Sequence, residues 1–146
     1  MSKKIPFSVT LEVRDACLCL HVQRAARALA KRFDDALRPT GLTNGQFSLL
    51  MSLNRPEPPG MASVARLLAM DRTTLTAALK PLERDGLVRV EVDPADRRSR
   101  RLVLTGPGHA ALARALPIWR ATHATIEADL GGRSADDLRA SLAALS

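Results

Sequence analysis

The stretch DPADRRSRRLVLT, residues 93–105, decides how this chain is read. Arg97, Arg98, Arg100 and Arg101 fall between an alternating segment, Val88-Arg89-Val90-Glu91-Val92, and an apolar return, Leu102-Val103-Leu104. Alternation with period two marks a half-buried strand, and Asp93-Pro94-Ala95-Asp96 starts a turn. The spacing predicts one β-hairpin with its arginines at the tip and on the return arm. Guanidinium groups repel one another and are not buried unpaired, so the expected counterpart is an anion outside the chain.

Immediately upstream, DRTTLTAALKPLERDGL at 71–87 reads as an amphipathic helix. Asp71 is a good N-cap, and Leu75, Ala78, Leu79 and Leu82 form an i, i+3, i+4, i+7 stripe. Thr73, Thr76, Ala77, Lys80 and Arg84 occupy the opposite face. Pro81 removes a backbone donor and is expected to bend the helix, and Gly86 closes it. A shorter helix over about Ala62 to Leu68, with Val64, Leu67 and Leu68 inward, precedes the tight turn Ala69-Met70-Asp71. Two helices joined by three residues, the second with a polar outer face, read as a helix-turn-helix. Followed by a basic hairpin, this is the layout of a winged helix that holds duplex DNA.

Further upstream, Thr43 caps a helix with Gln46 at the capping-box position and Phe47, Leu50, Met51 and Leu53 on its apolar face. Arg55-Pro56-Glu57-Pro58-Pro59-Gly60 is a rigid connector. From about Leu11 to Leu37 there is no Gly or Pro, and Leu18, Val22, Ala25, Ala26, Leu29, Phe33 and Leu37 trace one stripe. The spacing predicts a single helix of roughly 40 Å, longer than a domain this small needs for its own core. Pro39 and Gly41 end it. Downstream, Thr105 caps a helix through Leu112, Leu116, Trp119, Ile126 and Leu130, with a bend expected at Pro117. Gly131-Gly132 breaks it, and Ser134 caps a last helix carrying Leu138, Leu142 and Leu145. The expected class is mainly α with a small β-hairpin (α+β).

Composition narrows the function. The 146 residues carry 22 Lys+Arg against 15 Asp+Glu, a net charge of +7 that favours polyanionic partners. No apolar run approaches the ~20 residues needed to span a bilayer. With no secretory signal at the N-terminus, the expected compartment is the cytoplasm. With three Phe, one Trp and no Tyr, the chain lacks the interleaved aromatics of a single-strand or RNA platform, which leaves duplex DNA. Cys17 and Cys19, two apart on one predicted helix, would diverge by about 200°, so a disulfide between them would be strained. His21, His109 and His123 lack ligand spacing, and no catalytic constellation emerges, so neither a metal, nor another cofactor, nor an enzyme is expected.

The segments LRPTGLTNGQFSLL (37–50), VARLLAMDRTTLTAALKPLERDGLV (64–88) and DPADRRSRRLVLT (93–105), in this order, resemble the MarR family of bacterial winged helix-turn-helix regulators. Asp96, Arg98, Leu104 and Thr105 match the family's wing signature. The resemblance implies a homodimer: 8–38 as a dimerisation helix, 39–106 as the DNA-binding core, and 107–146 as further dimerisation helices. It also implies a pseudo-palindromic promoter site and a repressor released by a small, aromatic and anionic effector.

On this reading Arg72, Thr73, Thr74, Thr76 and Lys80 face the major groove, and Ser63 donates to phosphate. Arg97, Arg98 and Arg100 belong to the wing, with Arg98 in the minor groove. Asp96 is expected to orient Arg98 through a carboxylate–guanidinium pair. Phe33, Phe47 and Trp119 are the candidate effector pocket. Cys19 falls where peroxide-sensing members of the family carry a reactive thiol, although their tyrosine partners are missing here. A thiol-based peroxide or electrophile sensor is therefore the first alternative. A winged-helix protein–protein interaction module, for which a basic wing is unnecessary, is the second.

Overall fold

A computed structural model describes residues 3–146. Its elements are α1 (Phe7–Ala16), α2 (Leu18–Leu37), a 3-10 turn (Arg38–Thr40), α3 (Asn44–Ser52), α4 (Met61–Leu67), α5 (Arg72–Arg84), β1 (Val88–Val92), β2 (Arg100–Leu104), α6 (Gly106–Ala128) and α7 (Ala135–Ala143). The two strands form one antiparallel hairpin with Val88 opposite Leu104 and Glu91 opposite Arg101. This is the mainly α, winged helix-turn-helix architecture that the patterning predicts.

The helix starts lie where short polar side chains take up orphan amides. Thr43 and Gln46 form the reciprocal capping box of α3. Asp71, Thr105 and Ser134 cap α5, α6 and α7 by accepting from the backbone of Thr74, Gly108 and Asp137. Gly41, at φ 78°, closes the turn after α2 in the left-handed region, where a side chain would be strained. The core lies between α3, α4, α5, β2 and α6. Leu37, Leu50, Val64, Leu75, Leu82 and Leu102 are completely buried there.

Two expectations are corrected. The predicted first helix is two helices, because Cys17 leaves the helical region (φ −68°, ψ 109°) and starts α2 anew. The thiol of Cys17 accepts the amide of Leu20 there, a local bond that competes with the continuous helix. The objection to a Cys17–Cys19 disulfide, drawn from helical spacing, therefore loses its premise. Leu67 is 63% exposed rather than inward. The chain turns back at Ala69, which takes φ 53°, and the amide of Met70 reaches the carbonyl of Ala65, so the last turn of α4 rotates Leu67 out of the core. Pro81 and Pro117 lie inside helices that run on to Arg84 and Ala128. The carbonyls they leave without a donor belong to Ala77 and Ala113, both exposed, where solvent can reach them. The connector expected to be rigid is tied to β2: Leu102 donates to the carbonyl of Pro59, and Gly60 forms an isolated bridge with Arg101.

The terminal helices stand apart from this core. α1 and α7 bury no residue, and Phe7, Val13, Leu18, Val22, Leu138 and Leu142 are exposed. An apolar cleft of about 480 Å³ between α2, α6 and α7 includes Leu29, Ile126, Leu130, Leu138 and Leu142. Among the described residues no helix is long and apolar enough to cross a membrane.

Candidate nucleic-acid interface

α5 packs Leu75, Leu79 and Leu82 inward, and its polar residues consequently face out. Arg72, Thr73, Thr76, Ala77 and Lys80 line one shallow concavity along that helix. A second hollow between α5 and the hairpin brings Arg72, Thr76 and Lys80 beside Arg100. Arg100 therefore belongs with the helix face rather than with the hairpin tip, because β2 pairs it with Val92 at the strand's start.

The hairpin sorts its own arginines. Glu91 takes Arg89 at 2.7 Å and Arg101 at 3.0 Å, and Arg89 first, then Arg101, holds its carboxyl below the usual carboxylate range. Among the described residues no ion pair reaches Arg97, Arg98 or Arg100, and all three are exposed. The tip is therefore a local excess of positive charge on a turn closed by its own hydrogen bonds. Asp93 accepts from the amide of Ala95, and its own amide reaches the carbonyl of Ser99.

Asp96 works differently from expectation. Its carboxylate accepts the backbone amide of Arg98 at 3.0 Å and the hydroxyl of Ser99 at 3.2 Å, and makes no pair with the Arg98 guanidinium. A short acidic side chain two residues before an amide closes an Asx turn more readily than it reaches a long guanidinium. Asp96 thus fixes the main chain that carries Arg98 and leaves the cationic end unengaged.

Thr74 and Ser63 line neither of these concavities. The Thr74 amide is held by Asp71 at 2.7 Å, a bond that lowers the Asp71 pKa. Ser63 accepts from Arg55 at 2.8 Å. Arg55, which also donates to the carbonyl of Ser52, is a cation near the start of α4 that the sequence reading missed. Nothing in a Pro-rich connector signals where such a residue folds back.

Phe33, Phe47 and Trp119 do converge. With Ala26, Leu29, Ala30, Leu37, Asn44 and Ser48 they line a cleft of about 230 Å³ between α2, α3 and α6. Phe47 stacks on Trp119 (6.2 Å between centroids), and Trp119 on His123 (4.9 Å). Asn44 is held by Asp34, whose carboxylate accepts its backbone and side-chain amides at 2.7 and 2.9 Å. Those bonds lower the Asp34 pKa. Cys19 is exposed, with the Gln23 amide 3.2 Å from its sulfur. Arg14 is paired with Asp15, and His21 is bonded to the Cys17 carbonyl. Among the described residues no group of His, Cys, Asp and Glu is arranged to hold a metal.

A capped helix-turn-helix followed by a pinned, arginine-tipped hairpin defines a winged helix-turn-helix protein. The MarR family profile matches residues 42–99, the span from the start of α3 to the hairpin tip. Among proteins of known sequence, the transcriptional activatory protein BadR of Rhodopseudomonas palustris is 35% identical over 116 residues, 77% of this chain and 66% of that protein. The transcriptional regulator HosA of Escherichia coli is 40% identical over 79 residues, 53% of this chain and 57% of that one. The chain thus spans less than two thirds of these relatives' own length.

Among solved structures, the M. tuberculosis regulator MosR in complex with DNA superposes with a TM-score of 0.80 at 42% identity, over 88% of this chain and 92% of that one. The transcriptional repressor CouR, bound to a 23-mer duplex, gives 0.77 at 29% identity over 98% of both. This chain belongs to the MarR family, whose members here are transcription regulators and not enzymes.

Proposed function

We propose that this chain is a homodimeric transcription regulator that grips duplex DNA with α5 in the major groove and the hairpin tip in the minor groove. The observation that carries the reading is the partition of the hairpin arginines. Glu91 pairs with both Arg89 and Arg101, whereas among the described residues no ion pair engages Arg97, Arg98 or Arg100, and Arg100 shares a hollow with Arg72, Lys80 and Glu83. A narrow minor groove has the strongest negative potential on the duplex and draws such arginines in. MosR and CouR, related in fold and sequence, are each seen with DNA.

Two copies are needed because one chain leaves its terminal helices unburied. The exposed leucines of α7 and the apolar side of α2 fit a second copy of the same surface, which in turn spaces two α5 helices along one face of a duplex. Footprinting on the chain's own upstream region, followed by anisotropy titration of the protected duplex, tests the proposal. Binding at nanomolar protein to a pseudo-palindrome supports it; equal, weak binding to every duplex contradicts it.

An effector would occupy the Phe33–Phe47–Trp119 cleft. The polar groups lining it, Asn44 and Ser48, are uncharged, and no Lys or Arg lines it. The cleft therefore favours a neutral single-ring compound, and the anionic part of the sequence expectation lacks a counter-charge there. Such a ligand wedged between α2 and α3 would favour one spacing of the two recognition helices and release DNA. Relatives act in both directions: BadR is an activatory protein and CouR a repressor.

A second reading, a thiol switch, draws on the break at Cys17. Cys19 is exposed two residues past the joint at Cys17 between α1 and α2, with a sulfur that receives the Gln23 side-chain amide. Oxidation there would act on a hinge between two helices. Loss of DNA binding under mild peroxide, abolished by Cys19→Ser, would establish this reading; a retained response would remove it.

A further inference from the structure

The three threonines of α5 are not equivalent. Thr74 lies off the concave surface, while Thr73 and Thr76 line it. The Thr76 hydroxyl donates to the carbonyl of Arg72 at 2.8 Å, one turn back along the same helix. That bond uses the only proton the side chain can give. What Thr76 offers to a partner is its methyl group and an oxygen that can only accept. Ala77, exposed beside it, adds a second methyl. Arg72 and Lys80 stand one turn before and one turn after Thr76, so this apolar spot sits between two cations.

A phosphate oxygen needs donors, and a methyl pair supplies none. Of the groups on the major-groove edges of the bases, the thymine C5-methyl is the apolar one. We infer that Thr76 and Ala77 read a thymine in each half-site by methyl contact, with Arg72 and Lys80 fixing the flanking register. This rests on the DNA-binding reading above and assigns one base identity to it. The Thr76 side chain thereby becomes a specificity determinant through its carbon, not its hydroxyl.

The test separates the two halves of that side chain. Thr76→Val keeps the branched shape and the methyl but removes the oxygen; Thr76→Ser keeps the hydroxyl and removes the methyl. Each protein is titrated at fixed salt against the duplex that the wild type selects from a random pool. A set of copies has single thymines replaced by uracil, which lacks only the C5-methyl. At one position per half-site, uracil is expected to weaken the wild type and Thr76→Val by about fourfold, the effect of one buried methyl. Thr76→Ser, which removes the methyl from both subunits, is expected to bind the thymine duplex about 15-fold more weakly and to be indifferent to uracil at that position.

If no uracil position matters, or if Thr76→Ser keeps the discrimination and Thr76→Val loses it, the inference is overturned. The second pattern would mean that the oxygen accepts from a base. In both cases salt-dependent binding would persist, so the broader reading survives. Failure of the wild type to enrich any duplex overturns both.

Discussion

Gly108→Ala probes the joint that sets the hairpin against the recognition helix. Gly108 lies in the first turn of α6, and its amide is capped by Thr105, whose hydroxyl in turn donates to the carbonyl of Gly86 at 2.7 Å. These bonds press α6 onto the turn between α5 and β1. An added Cβ would stand 2.3 Å from the Leu87 carbonyl oxygen and 2.7 Å from Leu104 Cδ1. The leucine end can rotate away. The carbonyl cannot, since it already accepts the Thr105 amide at 3.2 Å. An unstrained carbon–oxygen approach is about 3.3 Å, so main chain has to move by about 1 Å.

Overpacking costs roughly 1–3 kcal/mol, and a clash with main chain belongs at the top of that range. Replacing a helical glycine by alanine returns about 1 kcal/mol. The net loss is about 2 kcal/mol, a fall in Tm of about 4–8 °C for a chain of this size. Differential scanning calorimetry reads it directly. Gly45→Ala is the control, because a Cβ at that helical position in α3 meets nothing within 4 Å. It is expected to leave Tm unchanged or raise it. A Gly108→Ala protein as stable as the Gly45→Ala control would refute the packing argument.

Three further outcomes are expected. Leu138→Arg, a charge set into the apolar cleft between α2, α6 and α7, should convert a dimer into monomers in sedimentation velocity, and an unchanged dimer would place the interface elsewhere. Asp34→Ala removes the acceptor of both Asn44 amides. Because those bonds depress the folded-state pKa, their contribution is present above the ordinary value of 3.8 and lost as pH falls through the lower folded value. The variant should therefore melt lower than the wild type at neutral pH, and the gap should close in acid; a gap that widens in acid would contradict the assignment. Asp96→Ala should weaken DNA binding while leaving Tm nearly unchanged, since the Asx turn it closes is exposed and carries Arg98. Unaltered affinity would mean that the turn needs no such closure.

Much of the fold was legible because its punctuation is local. Thr43 with Gln46, Asp71, Thr105 and Ser134 each mark a helix start through a bond to an amide three residues on, and the Val88–Val92 alternation carries its own period. The failures share a cause. Cys17 interrupts a run free of Gly and Pro through a single backbone torsion, and Ala69 enters the left-handed region without the glycine that usually announces it. Neither event has a residue-type signature.

For the interface, the residue types in the hairpin pointed to the anion, while their pairing was out of reach. That Glu91 takes Arg101 and leaves Arg100 free follows from strand register, and register places Arg100 with Arg72 and Lys80. The cluster of Phe33, Phe47 and Trp119 depended on helices far apart in sequence coming together, which the apolar stripes foreshadowed. The absence of a cation among the residues lining that cleft did not show in the composition of so basic a chain.

The reading stands or falls on the unpaired hairpin arginines, and the salt dependence of DNA binding measures them. For wild type and for the Arg97→Ala/Arg98→Ala double variant, log K on the footprinted duplex is followed against log salt. Each phosphate neutralised contributes about 0.9 to the slope, so removing two arginines from each of two subunits should flatten it by up to about 3.6. A double variant with the wild-type slope and affinity would contradict the account.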